Sequence, residues 1–479
     1  MATRYDTMGG MHEELLHRAA SHAVAYLDDI RNRHVAATLT GDELRTMLGV
    51  PLAEEGSDPA AVIDALASAG RDGTVATQGP RYFGFVIGGS VPAATAADWL
   101  ISAWDQNACV FVMSPIAAVV EQIVAGWVTS LVGLPPSWSA GFVTGCQMAN
   151  FTSLIAARHH VLREAGWDVE RDGLFGAPPI DVIVSDESHF TIFTALRMLG
   201  LGAERLRRVR TDSQGRMRPE HASQLLRDGS GPCIICAQAG NVNTGAFDPL
   251  AEIGPLARQR GAWLHVDGAF GLWAAVSPAL QPLVDGLTYA DSIATDAHKW
   301  LNVPYDSGIA MTAHPESHRR ALLLAAHYIV ETRSERDPHE FTPEESRRAR
   351  AIPIYAALRT LGRSGLRAIV ERCCAHARRI AGRLAAHPRV HILNDVVLNQ
   401  VLVQFVPSSG DPSQADRFTQ QVIARVQADG TCWAGGTSWQ GRSAMRISFS
   451  NWSTTDEDVD RSAEAILRAI DGTKAVGLA

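Results

Sequence analysis

Lysine is almost absent from this chain of 479 residues. Lysine and arginine together number 43, but only Lys299 and Lys474 are lysines, and Lys474 lies in the C-terminal tail. A coding bias toward arginine explains why the other cationic residues are all arginine, because lysine and arginine can both carry solvated positive charge. Arginine cannot lose its proton in a protein, whereas lysine can. A single internal lysine therefore indicates a position that needs a deprotonatable amine, with chance survival as the alternative.

Long apolar runs and blocks of like charge are also missing. The most apolar region, 97–134, is interrupted by Asp105, Pro115 and Glu121, so it falls short of the roughly 20 residues that cross a bilayer. The N-terminus has no basic stretch followed by an apolar one, which predicts no signal peptide and a cytoplasmic protein. A net charge of −8 without a basic block disfavours a nucleic-acid partner, and 46% hydrophobic residues exclude a disordered chain.

The seven cysteines are odd in number and widely scattered, which is not the pattern of a disulfide framework. Cys233 and Cys236 have the spacing of a redox or metal pair, but they lie inside the apolar run CIICA. On a strand their side chains would point to opposite faces. We therefore interpret this run as a buried strand.

The middle of the chain alternates strand-like and helix-like stretches. Runs rich in Val and Ile are separated by helix-length segments, which predicts parallel β-α-β units and an α/β fold. The predicted strands cover 181–185, 233–237, 262–267 and 308–311. After about residue 345 the pattern changes to a long helical region and a smaller α+β domain. Its strands are predicted at 391–394, 400–406 and 444–449.

Three segments follow from these patterns. We predict an N-terminal helical segment over 1–78, a large domain over 79–345 and a small domain over 346–479. The helical patterns at 11–28 and 57–70 have apolar faces that cannot bury much by themselves. We therefore expect a partner surface for them, and a second subunit is the candidate.

Functional side chains are expected at the carboxyl ends of the strands. The stretch HVDGA (265–269) ends a strand with a carboxylate, and DAHKW (296–300) contains the internal lysine. A lysine amine can form a Schiff base with a carbonyl cofactor, and a carboxylate can keep a pyridine ring protonated. Pyridoxal phosphate (PLP) needs both groups. A metal site made of His265, Asp267 and His298 is the alternative, but it leaves the lysine unexplained, so we expect no metal.

PLP also needs a phosphate cradle, which backbone N–H groups at a helix N-terminus provide. The turn TGCQ (144–147) precedes a helical stretch, where such a cradle is expected. His189 follows the strand-like run DVIVS and is placed to cover the ring face. Glycine turns before helices and isolated histidines are common, so only the combination is specific.

Together these motifs resemble the group II PLP-dependent amino-acid decarboxylases, such as the aromatic-L-amino-acid, glutamate, histidine and diaminobutyrate decarboxylases. The similarity extends over nearly the whole chain. It is carried by GPRYFGF (79–85), GFVTGCQMAN (141–150), DESHF (186–190), GNVNTGAFDP (240–249), HVDGAFG (265–271), DSIATDAHKWLNVPYDSG (291–308), SRRAR (346–350) and AMRIS (444–448). The resemblance implies a fold-type I architecture and a homodimer with active sites at the subunit interface.

The resemblance also implies a role for each matching residue. Lys299 would form the Schiff base, and Asp267 would pair with the pyridinium nitrogen. His189 would stack on the ring and act in proton transfer, and Ala269 would pack beneath the ring. The implied phosphate-binding groups are the backbone of Cys146 and Gln147, together with Ser292 and His298.

The cofactor motifs depart from the family pattern at three places. GCQ replaces GGS or GGT in the phosphate turn, which removes a hydroxyl but keeps the backbone donors. AGNVNTG (239–245) replaces the commoner AGTT pattern, so the hydroxyl near the cofactor is missing and Asn241 or Asn243 is expected there instead. Asp296 stands where some relatives have asparagine, and its carboxylate needs a partner such as His298.

A fourth departure concerns the fate of the product. Relatives carry a tyrosine on a mobile loop that protonates Cα, but the corresponding stretch 331–345 has no tyrosine and offers His339 and Phe341 instead. Without that proton donor the carbanion could react with oxygen and give an aldehyde. The hypotheses are therefore an L-amino-acid decarboxylase first, another PLP enzyme such as an aldehyde synthase, lyase or aminotransferase-like enzyme second, and a catalytically silent scaffold subunit third.

The sequence constrains the substrate only weakly. Tyr82, Phe83 and Phe85 are candidates to line a pocket, which slightly favours an aromatic or apolar amino acid. Packing in the core or at an interface is the equal alternative for these side chains. Arg446 is a candidate to bind a substrate carboxylate, with a structural salt bridge as the alternative.

Overall fold

The computed structural model describes residues 8–323 and 335–473. The helices are α1 (Met8–Asp29), α2 (Gly41–Leu48), α3 (Pro59–Gly73), α4 (Pro92–Trp104), α5 (Pro115–Leu131), α6 (Cys146–Glu164), α7 (Val169–Asp172), α8 (Phe190–Met198), α9 (Pro219–Asp228), α10 (Leu250–Arg260), α11 (Pro315–Arg320), α12 (Ala351–Ala385), α13 (Ala415–Asp429) and α14 (Asp456–Gly472). The strands are β1 (Ser139–Val143), β2 (Asp181–Ser185), β3 (Arg207–Val209), β4 (Cys233–Gln238), β5 (Trp263–Asp267), β6 (Ser292–Asp296), β7 (Gly308–Thr312), β8 (Val390–Ile392), β9 (Gln400–Phe405), β10 (Gly435–Trp439) and β11 (Arg442–Ser448).

Seven strands form the central sheet in the order β1-β7-β6-β5-β4-β2-β3. Strands β6, β5, β4, β2 and β3 are parallel, whereas β7 is antiparallel to both β6 and β1. The parallel direction expected for 308–311 is therefore wrong. The connection 297–307 contains no helix, and a parallel crossover needs a dozen or more residues.

Helices cover both faces of this sheet, and the expected α/β class is confirmed. All six residues of β4 are buried. Cys233 packs in one core cluster and Cys236 in the other, on opposite faces of the strand. Strands covered on both faces lose the alternation of apolar and polar residues, which explains the continuous apolar run CIICA.

The C-terminal part contains a second sheet of four antiparallel strands in the order β10-β11-β9-β8. Helix α12 leads into it and bends at Gly362, whose φ of 60° and ψ of −178° are not helical. Side chains from both sheets, including Ile293 of β6 and Val401 of β9, belong to one continuous core cluster. The two sheets therefore pack around a common core.

The N-terminal helices α1 and α3 pack on each other, with Arg18 Nη1 and Asp64 Oδ2 2.7 Å apart. Leu16, Val24 and Leu66 on these helices remain exposed. Among the described residues, no helix combines the length and the apolar character that crossing a membrane would need.

Candidate active site

The candidate site lies where two parallel strands end and a helix begins. Asp267 ends β5, Asp296 ends β6, and Cys146 begins α6. A Cβ on Gly308 of β7 would lie 2.5 Å from the backbone of Gly145, the residue before α6. Glycine at 308 therefore lets the start of α6 approach the strand ends.

The Asp267 carboxylate is buried and faces three hydrogen-bond donors. Its Oδ1 accepts from the Ala269 N–H at 3.1 Å and from the Cys146 thiol at 3.4 Å. Its Oδ2 accepts from Asn150 Nδ2 at 3.2 Å. Hydrogen bonds to a carboxylate are stronger than bonds between neutral groups, so these contacts fix its orientation and stabilise its negative charge.

A chain of buried hydrogen bonds holds the Asn150 amide. The Asp267 carboxylate would repel an amide oxygen, so Asn150 turns Nδ2 toward Asp267 and Oδ1 toward His265 Nε2, 2.9 Å away. Burial lowers the pKa of His265 to about 4, so the ring is neutral and its one proton is on Nε2. Its Nδ1 then accepts from the Ser292 hydroxyl at 2.9 Å, and Ser292 Oγ accepts from Trp263 Nε1 at 2.8 Å. Each hydrogen bond in this series therefore has one defined donor and one defined acceptor.

Ser292 therefore supports His265 and not the phosphate. It begins β6, four residues before Asp296, which is about 13 Å along an extended strand. Its hydroxyl is buried between Trp263 and His265. The phosphate-binding role that the resemblance implied for Ser292 is corrected on this geometry.

Lys299 is the only lysine among residues 8–323 and 335–473, and its amine contacts a carboxylate. Lys299 Nζ lies 2.8 Å from Asp296 Oδ2, while Asp296 Oδ1 accepts the Cys146 backbone N–H at 2.6 Å. Burial is the largest single influence on the amine and disfavours its charged form. The contact with Asp296 and the nearby Cys146 and Asp267 together outweigh burial and raise the pKa of Lys299. The expected contact between Asp296 and His298 is present at 3.3 Å. One carboxylate thus pairs with the lysine and occupies the N-terminus of α6.

Two histidines flank this centre. His298 Nδ1 accepts the Ser307 N–H at 3.1 Å, and its ring stacks on Tyr305 at 4.0 Å between centroids. His189 precedes α8, and its Nδ1 lies 2.8 Å from the Thr191 hydroxyl. Burial lowers the pKa of both rings and favours their neutral forms.

Sequence reasoning missed the residues that support this centre. The Thr191 hydroxyl also lies 3.5 Å from Asn150 Nδ2, so Thr191 links His189 to the group that holds Asp267. Asn150 ends the motif GCQMAN, and Thr191 directly follows DESHF. The motifs themselves were therefore a signal, but Asn150 lies 41 residues from Thr191 and more than 100 residues from Asp267.

The residues present fit PLP with one adjustment. Lys299 offers the amine, Asp267 offers an anion for the ring nitrogen, and the α6 N-terminus, including half-buried Gln147, offers backbone donors for a phosphate. Asp296 competes, because the Cys146 N–H that it accepts is one of those donors. PLP therefore fits once Asp296 gives up this hydrogen bond.

Comparison with known proteins decides the family. The family model described as the pyridoxal-dependent decarboxylase conserved domain matches residues 52–406, well over half of the chain. The chain belongs to the pyridoxal-dependent decarboxylase family. It is a PLP-dependent amino-acid decarboxylase, which confirms the family and the cofactor predicted from the motifs.

Three relatives of this decarboxylase share most of its length. An aromatic-L-amino-acid decarboxylase of Bacillus atrophaeus is 24% identical over 93% of this chain and 92% of its own. An L-2,4-diaminobutyrate decarboxylase of Rhizobium meliloti is 30% identical, with coverage of 79% and 75%. A phenylacetaldehyde synthase of Arabidopsis thaliana is 25% identical, with coverage of 81% of each chain.

A solved structure supports the fold. The crystal structure of an Oryza sativa TDC with PLP and tryptamine matches with a TM-score of 0.90 at 21% identity, over 97% of this chain and 98% of that one. The predicted fold-type I architecture is confirmed for the decarboxylase.

The aromatic candidates of the stretch RYFGF separate into two groups. Tyr82 and Phe85 both stack on Trp433, at 5.1 and 5.6 Å between centroids. Phe83 is fully buried and packs on Phe449 at 4.7 Å. The expectation that Phe83 lines a pocket is wrong, because its ring is part of the hydrophobic core.

Two further candidates are engaged with backbone groups. Arg446 of β11 donates from Nη1 to the Val242 carbonyl at 3.1 Å, and it lies near enough to Tyr82 and His189 to influence both pKa values. Asn241 accepts the N–H groups of the residues two and three positions later and donates to the Glu187 carbonyl. Its side chain therefore organises its own loop.

The candidates of the stretch 331–345 lie among other elements. Residues 331–334 are outside the described residues, and so is Tyr328 just before them. Phe341 packs beneath the Arg336 guanidinium, 3.9 Å from its ring centroid, and edge-on against His318. His339 is 1% exposed, and its backbone N–H donates to the Cys109 carbonyl at 2.9 Å. The contacts of these two side chains with the described residues do not include Lys299 or Asp267.

Proposed function

We propose that Lys299 is the lysine that binds PLP in this decarboxylase, with Asp267 as the partner of the ring nitrogen and His189 over the ring. The observation that carries the proposal is the contact of Lys299 Nζ with Asp296 at 2.8 Å, at the N-terminus of α6 and beside Asp267. Amine, anion and anion-binding helix therefore occupy one site, with Cys146 touching both carboxylates.

Bound PLP supplies an electron sink for the bond that breaks at the substrate Cα. Asp267, fixed by its three donors, keeps the ring nitrogen protonated. Lys299 must lose a proton before its Nζ can bind the cofactor, and its contact with Asp296 Oδ2 at 2.8 Å opposes that loss because it raises the pKa of the amine. The Lys299 amine and the Cys146 N–H are therefore available to PLP only when Asp296 releases both.

The same geometry supports a role for His189 in proton movement. Its pKa is lowered mainly by burial, so the neutral ring can accept a proton and return it. Thr191 fixes the ring through Nδ1 and leaves Nε2 for the reacting side. Ala269 packs at the strand end beside Cys146 and keeps that surface flat and apolar.

We propose an aromatic or apolar L-amino acid as the substrate. Tyr82 and Phe85 present rings on Trp433, and Phe85 is 63% exposed. A Phe85→Ala variant should raise KM for aromatic substrates about three- to tenfold while kcat changes less, because aromatic contacts contribute about 1 kcal/mol. Phe175→Ala, which alters a 98% exposed ring elsewhere, is the matched control. Equal changes of KM in the two variants would show that Phe85 does not contact the substrate.

A second outcome is oxidative formation of an aldehyde. The similarity to a phenylacetaldehyde synthase and the absence of tyrosine from 331–345 favour it. A panel of L-amino acids, with CO2, amine, aldehyde, peroxide and ammonia measured together, separates the outcomes. We expect CO2 and amine in equal amounts. Aldehyde with peroxide and no amine would establish the second outcome, and a panel without CO2 would contradict both.

We further propose a cytoplasmic homodimer with three segments, 1–78, 79–345 and 346–479. The exposed apolar side chains of α1 and α3 support a subunit interface. All seven cysteines are free, as expected in a reducing compartment. Sedimentation analysis of the wild type and of a Leu16→Asp variant tests the interface, and an unchanged dimer in the variant would contradict the proposed use of α1.

A further inference from the structure

A loop between α4 and α5 is clamped to the segment that precedes α12. The Ala108 N–H donates to the Arg347 carbonyl, and the His339 N–H donates to the Cys109 carbonyl, both at 2.9 Å. The Phe111 N–H donates to Asp337 Oδ1 at 2.7 Å. Hydrogen bonds on both sides of Cys109 therefore fix its position relative to His339.

Three potential metal ligands converge at this clamp. The Cys109 thiol, a His339 ring nitrogen and a Glu345 carboxylate oxygen all lie within 4.8 Å of one another. Cys109 Sγ is 3.0 Å from Glu345 Oε2, and His339 Nδ1 is 3.5 Å from Glu345 Oε1. Ligands bound to one zinc ion at 2.0–2.3 Å are themselves about 3–4 Å apart, so these separations need little adjustment.

The His339 ring provides an independent indication of a missing ligand. The side chain is 1% exposed, and among the described residues neither ring nitrogen has a hydrogen-bond partner, Nδ1 having only its 3.5 Å ion-pair contact with Glu345. A buried polar group without a hydrogen bond is costly and rare in folded proteins. An imidazole whose backbone is held in place, with both nitrogens beside a thiol and a carboxylate, has the surroundings of a metal ligand.

The arginine beside the cluster in the described part of the chain is already paired. The Arg347 guanidinium contacts the fully buried Glu121 carboxylate at 2.6 Å. A divalent cation would balance a thiolate and a carboxylate, and the 48% exposed Glu345 side chain provides an entry path from solvent.

We propose that Cys109, His339 and Glu345 form a zinc site that joins the loop before α5 to the segment before α12. Thiolate, imidazole and carboxylate are the ligand types that zinc prefers, and three protein ligands leave a fourth position for water. The site lies outside the residues assigned to PLP, so it does not depend on the proposed role of Lys299.

Zinc binding to the PLP-loaded full-length protein tests the site. Protein stripped with a chelator and desalted is titrated with zinc against a competing chelator, and bound zinc is measured by mass spectrometry. We expect one zinc per chain. Cys109→Ser and His339→Phe should each weaken binding by at least about 100-fold, because loss of a supporting group alone costs 10–100-fold. Cys432→Ser, which removes another buried thiol, should leave binding unchanged.

Cobalt provides a readout that needs no variant. Cobalt bound in place of zinc should give a thiolate-to-metal charge-transfer band in the wild type and in Cys432→Ser, and no such band in Cys109→Ser. Zinc should also raise Tm of the wild type in a concentration-dependent way. Wild-type protein that retains no zinc against the chelator would overturn the proposal. Equal binding by the wild type and both ligand variants would do the same.

Discussion

The two ends of the proposed cofactor site hold carboxylates in different surroundings. At the ring end, Asp267 accepts from three uncharged donors, none of which PLP requires. At the phosphate end, Asp296 contacts the Lys299 amine and the Cys146 N–H, both of which PLP would use. The ring end is therefore complete before the cofactor binds, whereas the phosphate end is occupied by an internal anion that must give way.

This difference separates two kinds of effect. A change at the ring end alters the electronic properties of bound PLP and should reduce turnover. A change at Asp296 alters the competition for Lys299 and for the α6 N-terminus, and it should affect cofactor binding more than turnover.

The largest effect is expected from Asp267→Asn. The amide has nearly the same shape but cannot hold a proton on the ring nitrogen, so kcat should fall about 100- to 1000-fold, the usual scale for loss of a preorganised electrostatic contact. PLP titration monitored by absorbance should show that binding is retained. A kcat within threefold of the wild type would contradict the role of Asp267.

A smaller and opposite effect is expected from Asp296→Asn. Removing the carboxylate frees the Cys146 N–H and removes the charge that raises the pKa of Lys299, so PLP should bind about tenfold more tightly, a modest fraction of a close charge interaction. Because the raised pKa keeps Lys299 protonated to higher pH, the variant should take up PLP at lower pH than the wild type. Asp306→Asn, which removes a neighbouring charge paired with Arg350, is the control. Weaker PLP binding by Asp296→Asn would show that Asp296 assists binding.

The smallest effect is expected at the supporting chain of hydrogen bonds. His265→Phe removes the donor to Asn150 and leaves Asp267 less firmly held, so kcat should fall about five- to tenfold, as for the loss of one buried hydrogen bond. His265→Gln can both donate to Asn150 and accept from Ser292, so it should recover most of kcat. The pH dependence of the bound-PLP absorbance should shift in the phenylalanine variant only. If His265→Phe and His265→Gln shift this pH dependence equally, His265 acts through packing and not through its hydrogen bonds.

The site residues carried by short motifs could be predicted from the sequence. Composition draws attention to Lys299, and the end of an apolar strand to Asp267, and the structure brings these two residues together around Cys146 and Asp296. Asn150, Thr191 and Trp263 were missed, because their roles depend on which helix and strand are neighbours in the fold. The phosphate-binding role expected for Ser292 failed for a related reason. The motif does not show that Ser292 begins β6 while Asp296 ends it.

The direction of one strand and the side to which one aromatic side chain points were also not predictable from the sequence. The run at 308–311 reads as a buried strand in either direction, and only the short connection 297–307 distinguishes the two. Phe83 reads like Tyr82 and Phe85 in sequence, but it points to the core. The cluster of Cys109 and His339 joins residues that are 230 positions apart, and no local pattern indicates it.

The covalent attachment point of PLP tests the central claim most directly. Holoenzyme treated with borohydride fixes the imine link between the cofactor and its lysine, and peptide mass spectrometry then locates the adduct. We predict a single adduct on Lys299 and none in Lys299→Ala. An adduct on Lys474, or stoichiometric PLP without any lysine adduct, would contradict the account.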